Sequence, residues 1–559
     1  MKDDIRKIIE RAILVAQKSG IFLSFDLIKD GKPIVEIDRP LEKIHGDYSS
    51  NIALRLSKIL NQDACEIATK IGDLILEERE KTGIINGVEI VHPGFLNIFL
   101  FDKYIQNKIL EILKQKDGYG NIQGSRVRGR MSKVLLEFLS ANPTGQLHLG
   151  HGRNAFWGDV LAKVLTKAGY IVKKEYYINN AKASTQIKTL GQTSVGEGEA
   201  YLNDYLEEKL KVKSSKLKVL IKNTKDKEKL YCEAGFLMAG ELLRDLKKFI
   251  EKDLKIKFDI WFSEEDELYK KKLVEKMHKW LKDNNFVYKK EGAEWLKIGG
   301  YGDSKDRVLV RSDEVHTPTY LLPDIAYHAN KIKRGFGRLI NIWGADHQGH
   351  VKSMKASLKM LKFNGVLDIL ITQMVSLKEG DKKIKLSKRK GKVVTMKSLI
   401  DEVGLDSVRF FYLLKSLDTH MELDLELMKE QSSKNPVFYV QYAHARIQSI
   451  LKKARIKNQE SRIRNPHLEM LSTESELELI KELLRFPELI EEISRDYQVH
   501  RLTHYTIGLA DKFHHFYHEC RVIGDDELLT GARLALIEAT KITLKNTLNI
   551  LGVSAPEKM

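Results

Sequence analysis

Apolar residues recur along this chain at spacings that change character several times. In IRKIIERAILVA (5–16) they fall at helical intervals, whereas VEIVHPGFLNIFL (88–100) reads as strand, turn and strand. The glycine-rich DGYGNIQGSRVRGR (117–130) has no periodicity and predicts a linker. SKVLLEFL (132–139) is a candidate buried strand. GRNAFWGDVLAKVLTKAG (152–169) is a helix with Phe156, Val160 and Val164 on one face, closing at Gly169, and YIVKKEYYI (170–178) is a second strand. Strand, glycine loop, helix and strand make a βαβ unit and predict a parallel sheet. Residues 200–290 are lysine-rich with helical spacing, and LKVKSSKLKVLIKNTKDKEKL predicts a solvated helical insertion or, less favoured, a nucleic-acid patch. EWLKI, RVLVRS and RLINIWGADH return to strand texture. Beyond residue 405 the pattern is helical to the end, with long amphipathic stretches such as KNPVFYVQYAHARIQSILKKA and GARLALIEATKITLKNTLNILG. No internal repeat is evident.

At 559 residues the chain exceeds one core and predicts three or four domains. Its 42% hydrophobic and 31% charged residues fit a globular protein. The formal charge of +17, from 94 basic and 77 acidic side chains, favours a polyanionic partner, although a general richness in lysine is an alternative source. The three cysteines, Cys65, Cys232 and Cys520, are far apart. This argues against a disulfide framework or a zinc site and suits a reducing cytoplasm. The first helix carries acids and does not read as a signal peptide, and no apolar run is long enough to span a membrane.

Two segments carry the candidate chemistry. In SANPTGQLHLGHGRNAFWGDVLAKVL (140–165) the pair His148 and His151 sits at a helix N-terminus, where free N–H groups and the dipole hold anions. Gly150 and Gly152 would let a phosphate chain approach the backbone, and Asn142-Pro143-Thr144-Gly145 adds a rigid turn. The dinucleotide and P-loop fingerprints are absent. Taken alone, a histidine pair in a loop is more often structural, or a chance metal half-site, than catalytic. Far downstream, KKIKLSKRKGKVVT (382–395) is a compact cationic loop that could neutralise a triphosphate as its bridge breaks, or could be a solvated charge run.

Together, HLGH and KLSKR resemble the two signatures of class I aminoacyl-tRNA synthetases, usually worded HIGH and KMSKS. The resemblance narrows to the arginyl-tRNA synthetase family of bacterial type and runs nearly end to end. HGDYSSNIALRLSK (45–58) and HPGFLNIFL (92–100) resemble its additional N-terminal domain. EFLSANPTGQLHLGHGRNAFWGD (137–159) and residues 306–350 resemble its catalytic segments. DEVGLDSVRFFYLL, NPVFYVQYAHARIQSI and the C-terminal helix resemble its anticodon-binding part. The fold class implied is α/β, a Rossmann-type parallel-sheet catalytic domain (119–405, with a helical insertion at about 195–290) between an α+β N-terminal domain (1–118) and an all-α C-terminal domain (406–559).

The implied activity is ATP-dependent formation of arginyl-adenylate, then transfer to the terminal ribose of tRNA(Arg), with tRNA needed even for the first step. His148, His151, Lys385 and Lys388 are the implied catalytic residues. Gly150, Gly152, Asn142, Thr144, Leu386, Ser387 and Arg389 would bind ATP, which brings Mg²⁺ with it as a substrate complex rather than as a tightly held metal. A guanidinium stays charged and needs carboxylates. Glu137, inside a buried strand, and Asp324 in TYLLPD are the two acids placed to serve, and the resemblance adds Ser140, Asn142, Tyr320, His347 and Gln348. Core packing remains open for Tyr320, and a helix N-cap for Asp324.

For tRNA, Phe95 and Asn97 match positions that read a D-loop base, with sheet packing as the alternative. Tyr439, Gln441, Tyr442, His444 and Arg446 lie on one aromatic, basic helix suited to anticodon stacking, or to a helical core. One stretch departs from the family: YYINNAKASTQI (176–187) stands where bacterial relatives usually read YYINDAGNQI, so Asn180 replaces an aspartate and two residues are inserted. Either the contact is made differently or activity is reduced. The expected protein is a cytoplasmic monomer whose partners are tRNA(Arg), L-arginine and ATP, with no membrane. The alternatives are a synthetase-derived binding protein without catalysis, and a class I synthetase for another amino acid such as cysteine.

Overall fold

The computed structural model describes residues 1–29, 32–40, 42–122, 129–313, 317–380, 382–384, 394–456 and 466–559. Its centre is a five-stranded, fully parallel sheet made of β1 (Lys133–Glu137), β2 (Ile171–Ile178), β3 (Ile260–Ser263), β4 (Arg338–Gly344) and β5 (Val366–Thr372), in the order β5-β4-β1-β2-β3. Chain direction reverses its walk between β1 and β4. In a doubly wound sheet the ligand crevice opens at that place, beyond the carboxyl ends of the strands.

The first crossover is α1 (Leu149–Lys167), whose Phe156, Val160 and Val164 are fully buried as its spacing predicts. It ends at Ala168, and Gly169 takes a positive φ of 89° to turn the chain into β2. The lysine-rich region differs from a simple helical insertion. It holds helices Asp204–Asn223 and Lys227–Lys248, but then supplies β3, the sheet's edge strand. Lysines dominate its outer faces and hide that four-residue strand from a pattern of apolar spacing. The helical texture after residue 405 is also interrupted, by Met421–Asp424, which pairs in parallel with Val375–Glu379.

The N-terminal part is α+β. Helix Lys2–Lys18 and helix Ala64–Glu77 pack together beside a three-stranded antiparallel sheet of Tyr48–Ser50, Phe95–Leu100 and Ile85–Val91. It is bound to the C-terminal helices by buried polar contacts, with the Tyr48 hydroxyl donating to Glu488 at 2.7 Å and Arg39 Nε to the same carboxylate at 2.8 Å. The C-terminal part is built from α3 (Pro436–Ile456), Glu474–Asp496, α4 (His500–Glu519) and Glu527–Leu551. No helix among the described residues is long and apolar enough to cross a membrane.

One ionic joint fixes α1 to the C-terminal helices. Arg409 is 1% exposed and donates to Asp159 of α1 at 2.5 Å, to the Leu551 carbonyl at 3.0 Å and to the Leu254 carbonyl at 2.9 Å. Lys163 and Lys174 also reach Asp159, at 3.0 and 3.2 Å. Burial alone would raise the Asp159 carboxyl, but these three cations hold it far below the usual range. Arg409→Met leaves Asp159 enclosed with only the two lysines, so we expect a loss of about 3 kcal/mol, at the low end for a broken buried pair. Urea unfolding checks this, and an unchanged midpoint would show that the joint carries no stability.

Candidate active site

The chain leaves β1 through an abrupt turn in which Leu139 and Ser140 both adopt positive φ, 70° and 36°. Asn154 of α1 holds it by accepting from the Leu139 N–H at 2.5 Å and donating to the Ile342 carbonyl of β4 at 2.8 Å. Ser140 Oγ accepts from the Tyr177 N–H at 3.1 Å, tying the turn to β2. Asn142 is exposed and Thr144 half-buried beyond it.

His148 caps α1. Its Nδ1 accepts from the Gly150 N–H at 3.1 Å, and His151 Nδ1 accepts from the His148 N–H at 3.1 Å. Burial lowers the pKa of both rings, that of His151 to about 3, so both are neutral near pH 7. With Nδ1 occupied as acceptor, each neutral ring carries its proton on Nε2, which leaves Nε2–H as a donor. The rings lie 3.7 Å apart, centroid to centroid. The two glycines serve packing here. A Cβ on Gly150 would meet the His148 ring at 2.9 Å, and one on Gly152 would meet Met396 and Tyr412 at 2.8 Å.

Lys385, Leu386, Ser387, Lys388 and Arg389 lie outside the described residues. The described residues resume at 394. Thr395 forms a β-bridge with His148, and the Met396 N–H donates to the Leu147 carbonyl at 2.9 Å. The end of the downstream basic stretch is therefore joined to the histidine corner.

The neighbouring strands and one further helix gather a set of acids. Register sets Asn341 of β4, Glu137 of β1 and Glu175 of β2 side by side on one face. They meet α2 (Leu321–Lys333). Lys331, fully buried, donates to Glu137 Oε2 at 2.5 Å and to Asn341 Oδ1 at 3.0 Å, while Tyr327 donates to Glu175 at 2.6 Å and Arg334 pairs with the same carboxylate. Asp324 sits in the first turn of α2, and Tyr320 is the cap residue, so Asp324 is not the N-cap. Burial, then the charges of Glu137 and Glu264, push the Asp324 carboxyl up to about 8, with Lys331 opposing. Burial likewise pushes Glu264 up to about 7, against hydrogen bonds from Tyr177 and the Ala181 backbone. Three carboxyls thus share one enclosure whose ammonium, Lys331, is already engaged by Glu137.

Glu264 is the residue sequence reasoning missed. It follows β3 directly in WFSEEDELY, and an acid at the carboxyl end of a sheet strand is the signal that could have found it. Tyr320, the cap residue of α2, is 63% exposed, which rules out core packing. His347 and Gln348 are exposed on the turn just after β4, with His347 beside Trp343 at 6.0 Å. Asn180 accepts at Oδ1 from Ser263 Oγ and from the Glu265 N–H, both at 3.1 Å, so its amide oxygen does an acceptor's work on the acid-bearing segment without adding a fourth charge. Among the described residues no group of three or more His, Cys, Asp or Glu is arranged to hold a metal ion.

Of the candidate RNA contacts, Phe95 is 37% exposed while Asn97 is enclosed, 3.4 Å from His45. The five residues of α3 divide. Tyr439, Tyr442 and Arg446 face α4, where the Arg446 guanidinium lies 5.0 Å from the Tyr442 ring and 5.2 Å from the Tyr517 ring, and His514 packs against both tyrosines of α3. Two others turn away from this face, a correction to the grouping. His444 is 1% exposed and bonded to the Pro556 carbonyl at 2.8 Å, and Gln441 donates to Asp406 and Ser554. A helix spreads consecutive residues over all its faces, so shared composition did not mean a shared surface.

Family models match over three consecutive stretches: arginyl tRNA synthetase N terminal domain over 1–100, tRNA synthetases class I (R), catalytic domain over 108–447, and DALR anticodon binding domain over 440–559. The arginine–tRNA ligase of Geobacillus thermodenitrificans is 38% identical over 100% of this chain and 99% of its own length. That of Bacillus pumilus is 40% identical over 94% and 95%. The solved arginyl-tRNA synthetase of Thermus thermophilus superposes with a TM-score of 0.75 over 100% of both chains, at 21% identity, and shares the fold.

The raised carboxyls give this enclosure a pH signature. In the unfolded chain Asp and Glu ionise near pH 4. In the fold Glu264 keeps its proton to about 7 and Asp324 to about 8. The native state holds more protons across that window, so their contribution to stability is full below about pH 4 and is lost as pH rises to about 8. Relative to wild type, Asp324→Asn/Glu264→Gln should therefore gain stability between about pH 5 and about pH 8 in urea unfolding. A difference that stays flat or shrinks would mean the acids are ionised in the free protein.

Proposed function

The chain belongs to the arginyl-tRNA synthetase family, class I ligases that join L-arginine to tRNA(Arg) at the expense of ATP, and on that footing we propose which of its side chains carry each step. The carrying observation is the enclosure of Glu137, Asp324 and Glu264, whose anionic capacity exceeds its one engaged ammonium. An arginine side chain supplies the missing permanent cation.

Asp324 and Glu264 take the guanidinium, with Tyr320 covering it at the mouth. Glu137 spends one oxygen on Lys331 and turns the other to the α-ammonium, and Ser140 and Asn142 line that end. The α-carboxylate then faces the α-phosphorus of ATP. One carboxylate oxygen bonds to that phosphorus as the bond to the bridging oxygen breaks, releasing pyrophosphate and leaving arginyl-adenylate. His148 and His151 donate Nε2–H to the phosphoryl oxygens as charge builds there. Lys385 and Lys388, with Leu386, Ser387 and Arg389 beside them, hold the leaving pyrophosphate, and Mg²⁺ arrives with ATP. Thr144 lies beside the phosphates, Gly150 and Gly152 let His148, Met396 and Tyr412 pack closely behind them, and His347 and Gln348 border the amino acid. In the second step the terminal ribose hydroxyl attacks the carbonyl carbon and AMP leaves.

The tRNA lies across residues 1–118 through Phe95, with Asn97 behind it, and across 406–559 through Tyr439, Tyr442 and Arg446, leaving 119–405 for catalysis. The protein works as a cytoplasmic monomer. Purified protein should support arginine-dependent pyrophosphate exchange only when tRNA(Arg) is present. Asp324→Asn should raise KM for arginine about a hundredfold by leaving the guanidinium short of a partner, and His151→Ala should lower kcat about a hundredfold or more. Exchange driven by another amino acid, or near-wild-type KM in the aspartate variant, would remove the pocket assignment. No exchange under any condition would leave a binding protein.

A further inference from the structure

Lys331 belongs to none of the groups that meet ATP, arginine or tRNA in the scheme above, yet it is fully buried in the wall of the arginine enclosure. A lysine in the last turn of a helix ordinarily sends its ammonium to water, and enclosing one is costly unless it is paired and hydrogen-bonded. Here every proton has an acceptor: Glu137 Oε2 at 2.5 Å, Asn341 Oδ1 at 3.0 Å and the face of Tyr327, 4.2 Å from Nζ to the ring centre. The contacts continue beyond it. The Asn341 amide donates to His328 Nε2 at 2.8 Å, and His328 donates from Nδ1 to the Asp324 carbonyl at 2.8 Å. A continuous chain of hydrogen bonds therefore runs from the carboxylate of Glu137 through Lys331, Asn341 and His328 to the backbone of Asp324.

We infer that Lys331 is a positioning residue for arginine recognition: its ammonium balances Glu137 and pins one carboxylate oxygen, so that the other is presented to the substrate's α-ammonium in a fixed direction. This rests on the reading that Glu137 meets the α-ammonium. Without Lys331 the Glu137 carboxylate would lose its charge-assisted donor and with it the contact that fixes its direction. With Lys331 in place, the enclosure separates into a balanced, oriented carboxylate at the α-end and two acids left for the guanidinium. The network also holds the first turn of α2, which carries Asp324, in register with β1. One internal cation thus sets the spacing between the two ends of the site.

The test measures equilibrium binding of two probes to the full chain, L-arginine and 5-guanidinopentanoic acid, which has the same guanidinium and carboxylate but no α-amino group. Wild type should prefer arginine. Lys331→Met should lose that preference by about tenfold or more, as expected when a charge-assisted hydrogen bond is removed, while holding the deaminated probe nearly as well as wild type does. Glu137→Gln should lose it equally, and Lys331→Met/Glu137→Gln should lose no more than either single variant, because both act on one contact. Lys331→Gln, which keeps polarity and removes only the charge, gives the same loss and serves should the methionine variant not fold. If Glu137→Gln loses the preference and both Lys331 variants keep it, the inference is overturned while the reading of Glu137 stands. If Glu137→Gln keeps it, that reading fails and the inference falls with it. Equal weakening of both probes in the Lys331 variants would reduce Lys331 to a structural residue and also overturn the inference.

Discussion

A surplus of enclosed negative capacity organises this protein. Glu137, Asp324 and Glu264 come from three separate parts of the chain and share one enclosure with a single ammonium that is already committed. Charge in a low-dielectric interior is tolerated only when matched, and groups without a match keep their protons. That is the state of Asp324 and Glu264, held up to about 8 and about 7. A ligand whose cation cannot be removed by deprotonation is the natural complement, and it distinguishes arginine from an amine that could itself lose a proton on burial.

The fold assembles that enclosure from distant stretches of the chain. The reversal of strand order between β1 and β4 opens the crevice. β1 ends in Glu137, and the strained turn after it leads within a few residues to the cap of α1. The tautomers of His148 and His151 are set by backbone donors, so each ring presents its Nε2–H without rearrangement. Arg409 and Asp159 then tie α1 to the end of the last C-terminal helix at Leu551.

Much of this was legible along the chain, and the parts that were not have physical reasons. The βαβ unit and the burial of Phe156, Val160 and Val164 follow from spacing, because one helix face and one strand run are local properties. Glu137 was readable as an acid inside an apolar strand, and Asp324 through the family resemblance. Glu264 was not, because β3 is four residues long inside lysine-rich sequence and its place in the sheet is settled by pairing with β2. Lys331 reads as a solvated helix lysine until register puts Asn341 and Glu137 opposite it. Gly152 reads as room for phosphate, but its missing side chain makes room for Met396 and Tyr412. Each of these depends on what the rest of the chain brings alongside.

If the surplus is real, arginine must displace protons when it enters. Calorimetric titration of L-arginine into the protein near pH 7, in two buffers of different ionisation enthalpy, counts those protons directly. The account predicts net release approaching one proton or more for each arginine bound. Binding with no release, or with uptake, would contradict it.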